Sequence, residues 1–342
     1  MENLAIGGAT VYPYGICAAA GAAVMLLWAY AGTKAHGERK ALEYFALLAL
    51  PLGLALAHLS YCLCDLDWIS DCFWETVADF TGGGYLLYGA LVGMLLSLGA
   101  ACRLTGRNFA VLADRLAAPF LMFAAVLAAG DGLVGAGYGW KVEDWFQAET
   151  GMSLFTLQDV SFFSRFPFAV KDYYYGYANW AVFLPVSLFL AVMAVLVANP
   201  GRRTGRAGGT AVLAGTVYAC VRILYESLRQ DDILKWGFVR VNQILSAVLL
   251  MALLLLCFAT TGRREAAGKT GNLAKSLALF AGGALLVGAM EFALEKKIGF
   301  LEWMPMDLCY VFSTLGCLLL FFSCERLRRR AFGSANRKDT KE

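Results

Sequence analysis

The sequence predicts an all-α polytopic membrane protein of about nine transmembrane helices, with its N-terminus outside, its C-terminus cytoplasmic and a small extracytoplasmic head segment. Three observations predict it. Hydrophobic residues make up 59% of the chain and charged residues 16%, whereas a soluble domain is about a quarter charged and needs that polarity to cover its surface. The charges gather in short runs between apolar stretches of roughly 20 residues, the length that crosses a hydrocarbon core of about 30 Å. The basic residues of those runs fall in alternate loops. A mean hydropathy of +0.60 agrees with this composition.

The spans read as 13–33, 42–64, 84–102, 109–130, 177–198, 208–228, 241–260, 275–293 and 306–324. The first loop carries Lys34, Arg39 and Lys40, and the third carries Arg103 and Arg107. The fifth has Arg202, Arg203 and Arg206, the seventh Arg263, Arg264, Lys269 and Lys275, and the tail Arg326, Arg328, Arg329 and Arg330. The second loop instead holds Asp65, Asp67, Asp71, Glu75 and Asp79 with no Lys or Arg, while the fourth, sixth and eighth are mixed. Short loops rich in Lys and Arg stay in the cytoplasm, which sets the orientation. The start, MENLAIGGATVYPYG, has no basic n-region and carries Glu2 ahead of a spanning stretch, so it does not read as a signal peptide.

The longest hydrophilic segment, about 140–176, falls outside. Its aromatics (Trp140, Trp145, Phe146, and Phe162 through Tyr177) suit a small head at the membrane interface. No repeat of 20–50 residues is present, which excludes a solenoid. A net charge of +3 gives no case for a nucleic-acid partner. Cys17, Cys102, Cys220, Cys257, Cys309 and Cys317 lie in apolar runs and read as small hydrophobes. Cys62, Cys64 and Cys72 lie near an outer surface, where nothing in their spacing demands a disulfide. With two histidines, the sequence predicts no metal site and no cofactor.

Ionisable groups inside a bilayer are costly and mark candidate sites. Tyr218, Arg222 and Glu226, at i, i+4 and i+8, form one polar stripe on the sixth span, with Arg229 following. Arg222 lies too deep for snorkelling to explain it. Two readings stay open: a guanidinium that receives an anionic headgroup, or an Arg222–Glu226 ion pair that ties helices together. His58, in LALAHLSY, reads as a structural histidine or a site residue. Asp131 sits in LAAGDGLVGAGYG, where glycines permit a broken helix lining a cavity or close helix packing. TGGGYLLYGALVG invites the same pair of readings. Glu291 and Asp307 read as interfacial.

Several fragments, in order, resemble the bacterial prolipoprotein diacylglyceryl transferase family over roughly residues 1–260. LAIGGATVYPYG is similar to the family's opening, with Tyr14 and Gly15 on its Tyr-Gly. ALAHLSY matches Ala-Arg-Leu-x-Tyr through Ala57, Leu59 and Tyr61, with His58 in the place of the arginine. GGYLLYGALVG places Tyr88, Gly89, Leu91 and Gly93 on a Gly-rich family stretch. LADRLAAPF resembles Asp-x-x-Ala-Pro through Asp114, Ala118 and Pro119, with one extra residue between. YACVRILYESLRQDD and NQILS place Tyr218, Arg222, Glu226, Arg229, Gln243 and Ser246 on Tyr-x-x-x-Arg-x-x-x-Glu-x-x-Arg and Gly-Gln-x-x-Ser. The signature Gly-Arg-x-Gly-Asn-Phe-x-Asn-Gly-Glu falls on LAAGDGLVGAGYG. There Ala128 replaces the arginine, Asp131 the first asparagine and Val134 the second, while Gly130, Gly135 and Gly139 are kept. A His-Pro-x-Gln-x-Tyr-Glu segment is absent.

The resemblance implies a seven-helix unit over 1–260, with 261–342 adding two helices and a basic cytoplasmic tail. It implies transfer of diacylglyceryl from phosphatidylglycerol to the lipobox cysteine of an exported prolipoprotein, in the cytoplasmic membrane of a bacterium. On that reading Arg222 meets the phosphate, Glu226 orients it, and His58 or Asp131 is the base. Tyr218, Tyr88, Gly89, Tyr61, Arg229 and Gln243 complete the substrate site. Arg229 or Lys235 would replace the missing signature arginine. Two other functions stay open: a non-catalytic relative that binds lipid or a partner membrane protein, and a transporter.

Overall fold

The computed structural model describes residues 4–6, 9–65, 72–80, 83–141, 169–171, 178–199, 206–231, 234–237, 239–262, 270–295, 299–301 and 303–333. The chain is an all-α membrane bundle. Its helices are α1 (Pro13–Ala31), α2 (His36–Cys64), the short α3 (Phe73–Ala78), α4 (Leu87–Thr105) and α5 (Phe109–Asp131). They continue with α6 (Phe183–Ala198), α7 (Gly209–Leu228), α8 (Val241–Gly262), α9 (Thr270–Leu294) and α10 (Met306–Phe332).

Eight of these are long and apolar enough to cross a membrane, and α6 is a ninth apolar helix of 16 residues. Each falls where the hydropathy places a span. The ends differ. α2 begins at His36 rather than 42, because its basic first turn is already helical. α10 runs on to Phe332, so the arginines read as a tail are helical, and Arg328 is buried. Outward faces carry Leu27, Leu47, Leu188, Leu285 and Val311, all exposed, as a surface facing hydrocarbon requires.

Most of the head segment lies outside the described residues, including Trp145, Phe146 and Phe162–Phe168. What is described there is a short antiparallel pair, β3 (Ala169–Lys171) with β4 (Ala178–Trp180). Further two-stranded pairs join β1 (Leu4–Ile6) to β2 (Ala9–Val11) and β5 (Lys235–Trp236) to β6 (Val239–Arg240).

Two apolar cores meet on α7. One joins α1, α2, α4, α5 and α6 to Leu213, Ala214, Val217 and Tyr218. The other joins α8, α9 and α10 to Val212, Ala219, Cys220 and Ile223. α7 is therefore covered on both sides, and 67% of its spanning window is buried. Cys102, Cys220, Cys257, Cys309 and Cys317 pack as small apolar groups, Cys17 is half-buried, and the described cysteines are all free thiols.

Small residues set a close crossing between α2 and α4. A Cβ on Gly93 would lie 2.6 Å from the Leu52 carbonyl oxygen and 2.8 Å from Gly53 Cα, and one on Gly89 would strike Ser60 and the Leu56 carbonyl. All but the Ser60 hydroxyl are backbone contacts that cannot yield, the geometry small residues permit in membrane helices. Gly93→Ala should therefore cost about 1–3 kcal/mol, read as a lowered midpoint of thermal unfolding in detergent. An unchanged midpoint would show that the crossing has room for a methyl group.

Candidate functional site

The site is assembled around α7, whose register is fixed at both ends. At its start the Asp114 carboxylate of α5 accepts hydrogen bonds from Gly208 N at 2.7 Å and Ala211 N at 2.8 Å. It satisfies amides that the first turn leaves open and opposes the positive end of the helix dipole. Arg328 of α10 donates to the Gly209 carbonyl at 3.2 Å while paired with Glu325. Asp114→Ala should cost about 1 kcal/mol, as loss of a helix cap does, detected as a lower unfolding midpoint that Asp114→Asn partly restores.

Towards its other end α7 carries the polar stripe. Arg222 Nη2 pairs with Glu226 Oε1 at 2.6 Å, and Glu226 is 1% exposed. Asn242 Nδ2 at the start of α8 donates to the same oxygen at 3.0 Å. Arg229, just past the helix, reaches Glu226 at 3.4 Å and grips Asp231 through Nη2 at 2.5 Å and Nε at 3.0 Å. Arg240 donates to Asp231 at 3.2 Å and to the Arg229 carbonyl at 2.8 Å. Gly137 N donates to Asp231 Oδ2 at 2.7 Å, which ties in the glycine loop after α5. That loop needs its glycine, since Gly137 has φ +71° and a Cβ there would strike the Tyr225 hydroxyl.

Tyr225 links this network to α5. Its hydroxyl donates to Asp131 Oδ2 at 2.7 Å, and the guanidiniums of Arg222 and Arg229 lie 5.1 and 5.0 Å from its ring centre. Beside it opens a pocket with about 510 Å³ of space unfilled by protein, its mouth included. Tyr14, Ala128, Asp131, Tyr218, Arg222, Tyr225 and Asn242 line it, with Tyr85 and apolar side chains of α4, α5 and α6. Buried polar atoms are left open here: Arg222 Nε, Glu226 Oε2 and the Tyr218 hydroxyl make no hydrogen bond among the described residues. Buried groups of this kind are normally satisfied, so their clustering makes this the candidate site.

Of the residues read from the sequence, Arg222, Asp131 and Tyr218 reach the pocket wall, and Glu226 stands directly behind Arg222. Tyr88 packs against the Tyr218 ring and shares a 2.5 Å hydrogen bond with Ser246. Gln243 lies in the supporting layer, where its amide donates to Ser227 at 3.1 Å and its oxygen accepts from Arg240 N at 3.2 Å. Gly89 serves the α2–α4 crossing. Tyr61 is hydrogen-bonded to Asp65 away from the pocket.

His58 is not brought to the pocket. Its two ring nitrogens each lie 2.9 Å from a carbonyl oxygen, of Gly84 and Thr76, and its ring packs at a tilt against Phe80 and Tyr85. It anchors the segment after α2 one ring behind the wall, since Tyr85 is itself a lining residue. Neither proposed substitute for the signature arginine reaches the wall: Arg229 is held by Asp231 and Glu226, and Lys235 is exposed on β5. Glu291 lies near the end of α9 and turns towards the supporting layer. It accepts a short hydrogen bond from Ser227 and faces Gln243.

The sequence reading missed Tyr14 as a wall residue, and Tyr225, Asp231, Arg240 and Asn242 altogether. Tyr225 stands three residues from Arg222, so helical spacing alone could have found it. The others come together only through the fold.

Fold and site together define a membrane-embedded helical protein with a charge-balanced polar pocket that lipid-facing helices enclose. The prolipoprotein diacylglyceryl transferase family model matches residues 2–259. The chain belongs to the prolipoprotein diacylglyceryl transferase family. Proteins of Listeria innocua serovar 6a and Listeria monocytogenes serotype 4b are 24% and 26% identical to it over 251 residues, 72% of this chain and 84% of theirs. A Bacillus velezensis protein is 25% identical over 255 residues, 74% of this chain and 89% of its own. All three are named phosphatidylglycerol–prolipoprotein diacylglyceryl transferase. Helices α9 and α10 lie beyond the matched segment.

Asp231 lies outside the spanning helices and supplies a pH signature. Burial pushes its pKa up, but the Arg229 hydrogen bond and charge, Gly137 N and Arg240 outweigh that and leave it lowered. A carboxylate held ionised in the fold stabilises above its ordinary pKa, and that contribution fades as pH falls through the lowered value. The unfolding midpoint of the wild type should drop on acidification below about pH 4, and Asp231→Asn should flatten that limb. Identical acid limbs would remove Asp231 from the balance.

Proposed function

We propose that this chain transfers the diacylglyceryl group of a phosphatidyl lipid, phosphatidylglycerol in the names of its relatives, to the lipobox cysteine of an exported prolipoprotein. The setting is a bacterial cytoplasmic membrane, with the N-terminus outside and the C-terminal end of α10 in the cytoplasm. One observation carries the reading: Arg222, with Nε unengaged, on the wall of a pocket shared with Tyr218 and Asp131.

Arg222 receives the lipid phosphate, because a guanidinium presents several donors in a plane to phosphate oxygens. Glu226 fixes the guanidinium by its ion pair. Tyr218 adds a hydroxyl donor, with Tyr88 behind it. The cysteine sulfur attacks the glyceryl carbon that bears the phosphate, the carbon–oxygen bond breaks, and the phosphate leaves with the electron pair. Charge grows on that leaving oxygen, which is where a preorganised cation lowers the barrier. The thiol proton has two destinations, the Asp131 carboxylate or the departing phosphate. Holding both lipid-borne reactants in one cavity supplies the proximity.

Ala128 on the pocket wall favours a second reading, in which the pocket binds lipid without transfer. Reconstitution with labelled phosphatidylglycerol and a lipobox peptide separates the two. Label should pass to the peptide, and Arg222→Ala should slow that by about 10²–10³, with Arg222→Lys failing to restore it. Transfer that survives Arg222→Ala would overturn the assignment. Bound lipid with no transfer would select the second reading.

A further inference from the structure

We propose that the pocket favours a phospholipid whose headgroup carries an ammonium group beside its phosphate, an aminoalkyl phosphate ester, over one of net negative charge. This rests on reading the pocket as the donor site. The charge of the wall is the first argument. Arg222 is its one cationic side chain among the described residues and Asp131 its one carboxylate, so the lining is formally neutral.

The network behind the wall adds no surplus. Arg222, Arg229 and Arg240 are matched by Glu226, Asp231 and Asp131, and Glu291, on Ser227, only lowers the sum. Arg229 and Arg240 are both turned onto Asp231. A ligand of net charge −1 would bring an unmatched charge into a medium of low dielectric. A zwitterion brings none.

The pocket offers polar groups of both kinds. Arg222 Nε and the Tyr218 hydroxyl offer hydrogen to phosphate oxygens. Asp131, held through Oδ2 by Tyr225 and Arg229, is the acceptor on the same wall. Tyr225 stands between the two charges, with its ring against Arg222 and its hydroxyl on Asp131. The hydroxyls of a glycerol headgroup could donate to Asp131 but would not offset its charge. Ala128 adds no charge to the wall and Asp131 adds a negative one.

With Asp131 on the ammonium group, the thiol proton goes to the phosphate. The sulfur–carbon bond forms, the carbon–oxygen bond breaks, and the aminoalkyl phosphate leaves as a monoester carrying that proton.

The test uses the full-length protein in mixed micelles with equimolar phosphatidylethanolamine and phosphatidylglycerol. Their acyl chains match in length and differ in deuterium content. Native mass spectrometry reads the bound lipid, and the mass of a lipobox peptide reads the donor used. Wild type should prefer phosphatidylethanolamine by at least about tenfold, the scale of one charge-assisted hydrogen bond. Asp131→Asn, nearly isosteric and still able to accept from Tyr225, should shift the ratio towards phosphatidylglycerol by at least about tenfold. A ratio taken within each variant does not depend on how much of it folds. Preference of the wild type for phosphatidylglycerol, a ratio unmoved by Asp131→Asn, or neither lipid bound would overturn the proposal. Selective binding of phosphatidylethanolamine with no label on the peptide would uphold it and defeat the transferase reading instead.

Discussion

A guanidinium in the apolar middle of a helix bundle must have its charge matched nearby, because removing an ion from water costs several kcal/mol even after the protein relaxes. Arg222 imposes that demand here, and Glu226 answers it at 2.6 Å. Glu226 then needs more partners than one arginine provides, and it draws in Asn242 and Arg229. Arg229 in turn requires Asp231, which recruits Arg240 and the amide of Gly137. The chain of compensation decides which segments meet: the start of α8, the residues after α7, and the glycine loop after α5. Little of it is a reserve of stability, since buried ion pairs roughly break even with apolar packing. It works as a specification, penalising any arrangement that leaves one member alone.

α7 has no lipid-facing side to spare. One flank packs on α1, α2, α4, α5 and α6 and the other on α8, α9 and α10. The last two helices, beyond the family match, therefore share a core with the helix that carries the site. They also reach the site's surroundings, through Glu291 on Ser227 and Tyr310, which accepts from the Trp140 indole at 2.9 Å.

Span positions were legible in the sequence because hydropathy reports lipid contact directly, and the long apolar helices fall where it places them. Helix ends were less legible: Arg328 reads as a solvated tail charge, yet it is buried against Glu325 and the Gly209 carbonyl. At the site, i to i+4 spacing finds Arg222 with Glu226, since one helix holds both. It cannot find Asp231 with Gly137, or Tyr225 with Asp131, each pair 94 residues apart in the chain. Nor does it separate Asp131 from His58. Both are ionisable groups in apolar runs, but one faces a cavity and the other is tied to two carbonyls. A hydropathy pattern carries no record of which way such a group turns.

Under the proposed function, the Asp114 cap has a consequence for where along the membrane normal the reaction would take place. By fixing the first turn of α7 from a neighbouring helix, it sets the zero of a ruler. Arg222 lies 13 residues beyond Gly209, about 20 Å along the axis at 1.5 Å per residue. A lipid has its own ruler, because its glyceryl carbons float at a level set by the thickness of the hydrocarbon layer. The two scales must coincide for a phosphate to meet the guanidinium. A bilayer a few ångströms thicker or thinner moves the lipid's scale and leaves the protein's in place. With Arg222 receiving the lipid phosphate as proposed, the acyl-chain length of the surrounding membrane becomes a determinant of the rate, although no side chain in the pocket need touch an acyl terminus.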